Sequence, residues 1–157
     1  MKKIITMMAV LALQAGCHSG QPGPPPRPAP TTSSGSGMLP GAADAAGAVR
    51  AFMTAAKQQD LQALGGIWGD AGGPARDAIS REELEKRELI MLRCLRHDRY
   101  AVVGDAPSAG GSRTMVVNIS YKDASPSANF TVVRGPASRW YVQTVDLEPL
   151  QKICAAK

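Results

Sequence analysis

Residues 96–99, with the sequence Arg-His-Asp-Arg, are the strongest candidate for acid–base chemistry in this chain. A histidine beside a carboxylate can exchange protons near neutral pH, so His97 and Asp98 could act as a general acid or base. Consecutive residues at a helix end usually point in different directions into solvent, which favours a charged turn instead. A structural hydrogen bond from His97 is the third interpretation. We therefore assign no catalytic residue.

Other polar groups carry weaker signals. Asp146 and Glu148 lie two residues apart beside the last predicted strand and could pair, but a solvated edge explains them more simply. The two histidines, His18 and His97, lack nearby metal ligands apart from Cys94. The sequence contains no nucleophilic serine motif and no phosphate-binding glycine loop with a lysine. We expect no metal and no cofactor.

Composition argues against nucleic-acid binding. The chain has 157 residues and a net charge of +5, with Lys and Arg spread among Asp and Glu. A mild and dispersed excess of this kind is typical of a solvated surface. The length allows one globular domain with tails.

The N-terminus has the three-part layout of a secretory signal. Lys2 and Lys3 precede an apolar run over residues 4–13, and small residues follow. This run spans about 15 Å as a helix, half the thickness of the hydrocarbon core, so it is too short to anchor the protein by crossing a bilayer.

Residues 13–17, Leu-Gln-Ala-Gly-Cys, resemble the lipobox of bacterial lipoproteins. Ala15, Gly16 and Cys17 match the pattern, whereas Gln14 stands where an apolar residue is usual. The resemblance implies cleavage before Cys17 and attachment of lipid to its thiol. The alternative is ordinary secretion with cleavage nearby and a free Cys17. Several acyl chains would make attachment to membrane lipid effectively permanent.

The resemblance also implies which membrane holds the protein. His18 follows the acylated cysteine, where an Asp would be the usual signal for retention in the inner membrane. We therefore expect the protein on the outer membrane, facing the periplasm, if the cell has two membranes.

Lipidation of Cys17 would leave Cys94 and Cys154 in a compartment that favours disulfides. A bridge between them closes a loop of about 60 residues and contributes roughly 4 kcal/mol in the chain-entropy model. The alternative is two separate buried thiols.

Three regions follow from these patterns: a signal peptide over residues 1–16, a lipidated linker over 17–43 and a domain over 44–157. The linker is rich in Pro, Gly and Ser, which favours an extended spacer several tens of Å long. A proline-rich ligand for a partner protein is the alternative interpretation.

The domain sequence predicts an α+β fold. Apolar spacing predicts a first helix ending near Gln59, a second helix capped by Asp60, and a third with a capping box of Ser80 and Glu83. We expect residues 89–95 of the third helix to be deeply packed. Alternation then predicts strands at residues 100–103, 115–121, 129–134 and 140–147, joined by short antiparallel connections.

The domain resembles the NTF2-like (SnoaL-like, cystatin-like) superfamily over about residues 47–150. The similarity rests on residues 48–53 and 57–61 in the first helix and on residues 139–142, Arg-Trp-Tyr-Val. It implies three N-terminal helices packed into the concave side of a curved antiparallel sheet of about four strands. Between Gly69 and Ile79 a hairpin of the larger members would have to be missing or very short.

The resemblance implies a cone between helices and sheet. Large apolar residues would line it if it is open and would fill it as a core otherwise. These residues are Phe52, Trp68, Met91, Tyr121, Phe130 and Trp140.

The functional hypothesis is a membrane-tethered, non-catalytic module of the cell envelope that binds a protein partner or a small apolar ligand. The alternative is a SnoaL-like isomerase or hydrolase that uses the cone. These hypotheses are distinguished by whether an ionisable group lies inside an open interior.

Overall fold

The computed structural model describes residues 39–156, so the signal sequence, Cys17 and most of the proline-rich linker lie outside the described residues. The described part is an α+β domain with a four-stranded antiparallel sheet, as the sequence predicts. Its helices are α1 (Ala45–Gln58), α2 (Leu61–Ile67), α3 (Ala75–Ala78), α4 (Arg81–Cys94) and α5 (Gln151–Ala155). Its strands are β1 (Gly69–Asp70), β2 (Gly73–Pro74), β3 (Arg99–Pro107), β4 (Arg113–Ser120), β5 (Ser127–Arg134) and β6 (Trp140–Val145).

Side-chain caps define where the first helices begin. The Asp44 carboxylate accepts a hydrogen bond from the Gly47 amide at 2.6 Å, and the Asp60 carboxylate accepts one from the Ala63 amide at 2.9 Å. Each carboxylate satisfies an amide that has no partner within its helix. The predicted cap at Asp60 is therefore confirmed.

The third predicted helix is α4, and its first turn follows the expected pattern in part. The Ser80 hydroxyl accepts from the Glu83 amide at 3.4 Å, which is the N-cap half of a capping box. The Glu83 carboxylate accepts from Arg87 Nε at 2.7 Å, one turn later in the helix. The cap is confirmed, and the glutamate supports the helix through an i,i+4 ion pair.

The prediction that residues 89–95 are deeply packed is wrong for three of them, because Leu89, Ile90 and Arg93 are exposed. Leu89 is 54% exposed and Ile90 is 61% exposed. Each helical residue turns by about 100°, so these side chains lie on the side of α4 opposite to Leu95, which is completely buried. Only one face of α4 is buried, so a continuous run of apolar residues also places some of them on the exposed face.

Residues 69–79 differ from the predicted layout. They form the very short hairpin of β1 and β2 and then the single turn of α3, so only α1 and α2 precede the first strand. A side chain at Gly69 would clash with the backbone oxygen of Gly73 across this hairpin. Glycine is therefore required where the two strands approach.

The main sheet has the order β3-β4-β5-β6, with each strand antiparallel to its neighbour in sequence. Strand β3 runs to Pro107, well beyond the predicted end at Val103. A register shift between Val102 and Gly104 explains the difference. A bulge inserts one residue, which interrupts the alternation that predicts a strand.

One face of this sheet and the inner face of α1 form the core. Phe52 of α1 meets Phe130 of β5 edge to face, with ring centroids 6.2 Å apart. The alternate residues Met115, Val117 and Ile119 of β4 are also buried. The space between helix and sheet is therefore occupied by side chains from both.

The C-terminus is fastened to α4. Cys94 and Cys154 form the predicted disulfide, with their Cα atoms 4.1 Å apart. Arg93 Nε donates to the Cys154 carbonyl at 2.6 Å, and Arg96 donates to the carbonyls of Ile153 and Ala156. The short helix α5 is thus held by one covalent bond and by two arginines.

The start of the described chain is held by β6 and the residue before it. The Arg139 guanidinium donates to the carbonyls of Pro40 and Gly41 at 3.3 and 2.6 Å. Ala42 pairs with Trp140 through two backbone hydrogen bonds. The segment next to the linker is consequently attached to the edge of the sheet.

We expect the disulfide to contribute a measurable part of the free energy of unfolding. Replacing Cys94 and Cys154 by Ser in a Cys17→Ser background should lower the free energy of unfolding by about 4 kcal/mol, because the open loop regains entropy in the unfolded state. Urea denaturation compares this variant with Cys17→Ser alone, which keeps the bridge. Equal midpoints would contradict a stabilising role for the disulfide.

Candidate ligand-binding site

The structure places His97 in the interior. Its side chain is only 8% exposed, and Nδ1 lies 2.8 Å from the Leu95 carbonyl. The ring packs edge to face against Tyr100 at a centroid distance of 5.4 Å. Strand β3 starts directly after Asp98 and folds back over the helix end, so a structural hydrogen bond describes His97 and a solvated turn does not.

Asp98 is engaged by another part of the chain. Its carboxylate accepts from the Lys122 amide at 2.9 Å, and its carbonyl accepts from Lys57 Nζ at 2.9 Å. Together with His97 it borders a surface cavity of about 310 Å³. The carboxylate stabilises the turn after β4, where the Lys122 backbone has a φ of 52°.

Asp146 and Glu148 do not form a carboxylate pair facing a cavity. Asp146 accepts from the backbone amide of Glu148 at 3.1 Å, and both residues are exposed. This contact is a local turn cap.

The six predicted cavity-lining residues belong to the packed core or its margin. Phe52, Met91, Phe130 and Trp140 lie in the core, and Trp68 and Tyr121 pack against it. Trp68 donates through Nε1 to the Gln143 carbonyl at 3.1 Å. Tyr121 and Trp140 border different surface cavities, of about 740 and 530 Å³. These two rings are covered by Arg96 and Arg134, whose guanidinium carbons lie 5.4 and 5.0 Å from the ring centroids.

The larger of those cavities lies between the turn after β4 and the C-terminal segment. Its charged lining is balanced, with two basic residues and two acidic residues: Lys122, Lys152, Asp123 and Glu148. All four side chains belong to exposed residues. An open and charge-balanced surface of this kind is typical of solvated protein surface.

A smaller cavity of about 300 Å³ between α2, α3 and α4 has a different character, because a buried carboxylate borders it. Glu88 of α4 is only 2% exposed, and its Oε1 atom is enclosed without a hydrogen-bond partner. Burial raises the pKa of Glu88 from 4.5 to about 7, and the nearby charge of Glu85 adds to the increase. The group therefore changes its charge close to neutral pH.

Gly65 leaves room for the Glu88 side chain, and Gly66 leaves room for Arg76. A side chain at Gly65 would place its Cβ 2.9 Å from Glu88 Oε1 and 3.1 Å from Leu84 Cδ2. A side chain at Gly66 would lie 3.0 Å from Arg76 Nη1. The Gly-Gly step weakens α2 as a helix but lets α3 and α4 approach it closely.

Glu88 was not among the site residues predicted from the sequence. The sequence pattern marks it only as one of several acidic residues early in its helix. The spacing of Glu88 from apolar residues nevertheless indicates that it is buried. Glu88 lies four residues after Leu84 and four before Leu92, and both leucines are buried. A carboxylate on the apolar stripe of a helix is a candidate for a perturbed pKa.

Within residues 39–156 no group of three or more His, Cys, Asp and Glu side chains is arranged to hold a metal ion. None of the helices in the same range is long and apolar enough to cross a membrane.

No family model, curated protein or solved structure matches this chain. The function must therefore be argued from the residues and their geometry.

The raised pKa of Glu88 predicts how stability depends on pH. The folded protein holds this proton up to about pH 7, whereas the unfolded chain releases it near pH 4.5. The proton on Glu88 therefore stabilises the folded state by up to about 3 kcal/mol. This stabilisation is complete below pH 4.5 and is lost as the pH rises through 7. Glu88→Gln should remove this part of the pH dependence and stabilise the domain at pH 8.

Urea unfolding between pH 4 and pH 8 measures the effect. Glu82→Gln is the matched control, because Glu82 lies on the same helix, is exposed and pairs with Lys86 at 2.8 Å. The assignment is refuted if the two variants follow the same stability curve.

Proposed function

We propose that this chain is a bacterial lipoprotein whose folded domain is a non-catalytic module of the cell envelope, bound to membrane lipid through Cys17 and facing the periplasm from the outer membrane. The Cys94–Cys154 disulfide is the observation that carries the proposal. Disulfides persist in exported proteins and are rare in reducing compartments. The bridge uses two of the three cysteines, which leaves Cys17 at the end of the signal-like segment.

The attachment of residues 40 and 41 to the sheet supports a tethered arrangement. Arg139 donates to the carbonyls of Pro40 and Gly41, so the end of the predicted linker is joined to the domain. An extended proline-rich segment would hold the domain away from the bilayer by several tens of Å. A reach of this size suits contact with a partner elsewhere in the envelope.

We propose an NTF2-like cone as the finer description of the fold. In its support, α1 packs across β4, β5 and β6, and the predicted helices correspond to α1, α2 and α4. The hairpin formed by β1 and β2 is also very short, as the resemblance requires.

The packed interior favours protein interaction over an apolar ligand or catalysis. Phe52 and Phe130 are fully buried where the cone would hold a ligand. His97 and Asp98, the candidate acid–base pair, are bonded to backbone groups. No observation therefore favours the alternative of a SnoaL-like isomerase or hydrolase.

Cys17→Ser tests the membrane attachment. The variant should move from the membrane fraction to the soluble fraction and lose incorporation of labelled palmitate, because the thiol that accepts lipid is gone. The Cys94→Ser/Cys154→Ser variant is the control and should stay lipidated. Unchanged membrane association of Cys17→Ser would refute lipidation, and separation of inner from outer membranes tests the address.

Affinity capture tests the interaction role. The lipidated protein, crosslinked in intact cells, should reproducibly retain a specific envelope protein, because the tether places the domain within reach of it. The Cys17→Ser chain has the same domain without the tether and should retain less of that protein. Capture of the same proteins by both chains, or of none, would contradict a tethered interaction module.

A further inference from the structure

The exposed side of α4 carries two large apolar side chains. Leu89 is 54% exposed and Ile90 is 61% exposed, and the other large apolar side chains this exposed in the described chain, Leu39 and Val103, lie outside the helices. Neighbouring apolar residues of this kind leave a contiguous apolar surface in water, which marks a candidate interface. The charges around them decide which partner fits.

One negative and one positive charge flank Leu89 without a countercharge. Lys86 and Arg87 each pair with the glutamate four residues before them, at 2.8 and 2.7 Å. Glu85 has Leu89 four residues after it instead, and it forms no ion pair within the described chain. Arg93, four residues after Leu89, donates through Nε to a backbone carbonyl but likewise has no carboxylate partner in that part of the chain. Both residues are exposed.

This arrangement is complementary to itself when two copies of α4 are antiparallel. Four residues of helix rise by about 6 Å, so Glu85 and Arg93 lie equally far from Leu89 in opposite directions along the axis. If two antiparallel helices touch at Leu89, a two-fold axis passes between the two leucines. Glu85 of each copy then lies level with Arg93 of the other, as a self-complementary interface requires.

The same axis brings the second apolar residue into the contact. It is perpendicular to the plane of the two helices, so Ile90 of both copies lies on the same side of the line of contact. A parallel pairing would instead place Glu85 level with Glu85 and Arg93 level with Arg93, and like charges at these positions repel. The charges of α4 therefore select the antiparallel arrangement.

We propose that α4 is the interface of a two-fold symmetric dimer, in which Leu89 and Ile90 of two copies pack together and Glu85 of each copy pairs with Arg93 of the other. The occupant of the exposed side of α4 is thus a second copy of this chain. The inference does not rest on the proposed function, because the contact requires neither lipid on Cys17 nor another partner.

The size of the contact sets its strength. A single helix of 14 residues offers a small interface, below the roughly 800 Å² per partner of stable complexes. We therefore expect a dimer that dissociates on dilution, with a dissociation constant on the order of 100 μM. Its two ion pairs are exposed to solvent, so salt should weaken it several-fold.

Sedimentation equilibrium of the Cys17→Ser chain, which carries no lipid, tests the dimer. Leu89→Ser in this background should raise the dissociation constant at least tenfold, because the apolar contact at the axis is lost. Glu85→Lys should raise it by a similar factor, because it places like charges together twice. Glu148→Lys is the matched control, since it makes the same charge change at an exposed position outside α4, and it should dimerise as the parent does.

A mixture of two variants tests the pairing of Glu85 with Arg93. The Glu85→Lys chain and the Arg93→Glu chain should each associate weakly with themselves, because like charges then face each other. Mixed together, they should form a dimer about as tight as that of the parent, because opposite charges meet at both positions. Restored association of this kind separates a direct contact from a general effect of charge.

Four outcomes would overturn the proposal. The parent chain could remain monomeric at concentrations tenfold above the expected dissociation constant. Glu85→Lys could dimerise as well as Glu148→Lys, or the mixture could associate no better than its two components. A monomeric chain that binds anionic vesicles or an envelope protein through Leu89 would give α4 another occupant. Urea unfolding of Leu89→Ser and Glu85→Lys, both at exposed positions, checks that these variants remain folded.

Discussion

The packing of α1 against the inner face of the sheet is the contact on which the rest of the domain depends. Phe52 and Phe130 meet there edge to face, and both are fully excluded from water. Burying each such ring is worth about 2 kcal/mol or more, so the helix and the strands stabilise one another. The same contact fills the interior, and the cavities bordered by the described residues lie at the margins of the domain.

Helix α4 is one such margin, because it packs on other helices as well as on the core. Its side chains lie close to α2, with Glu88 Oε1 only 2.9 Å from the position of a Cβ atom on Gly65, and this closeness encloses Oε1. A buried carboxylate without a partner costs stability, which natural cores usually avoid. Protonation lowers this cost, because the neutral carboxyl group is easier to bury than the charged one.

The two ends of the described chain are attached to the domain by different contacts, one to a strand and the other to a helix. Near the linker, Arg139 and a pair of backbone hydrogen bonds attach residues 40–42 to β6. At the other end, the disulfide and two arginines attach α5 to α4. Both attachments join segments far apart in sequence.

The sequence by itself determined the local elements, and it favoured a bridge between Cys94 and Cys154 over two separate thiols. The structure decided for the bridge by bringing their Cα atoms to 4.1 Å. Caps such as Asp60 and Ser80, apolar spacing and alternation act over a few residues, so they can be recognised without the fold. Only the tertiary structure decided the burial of His97 and Glu88 and the length of β3. Those depend on which helix crosses which and where a bulge falls, and such contacts join residues that no local pattern connects.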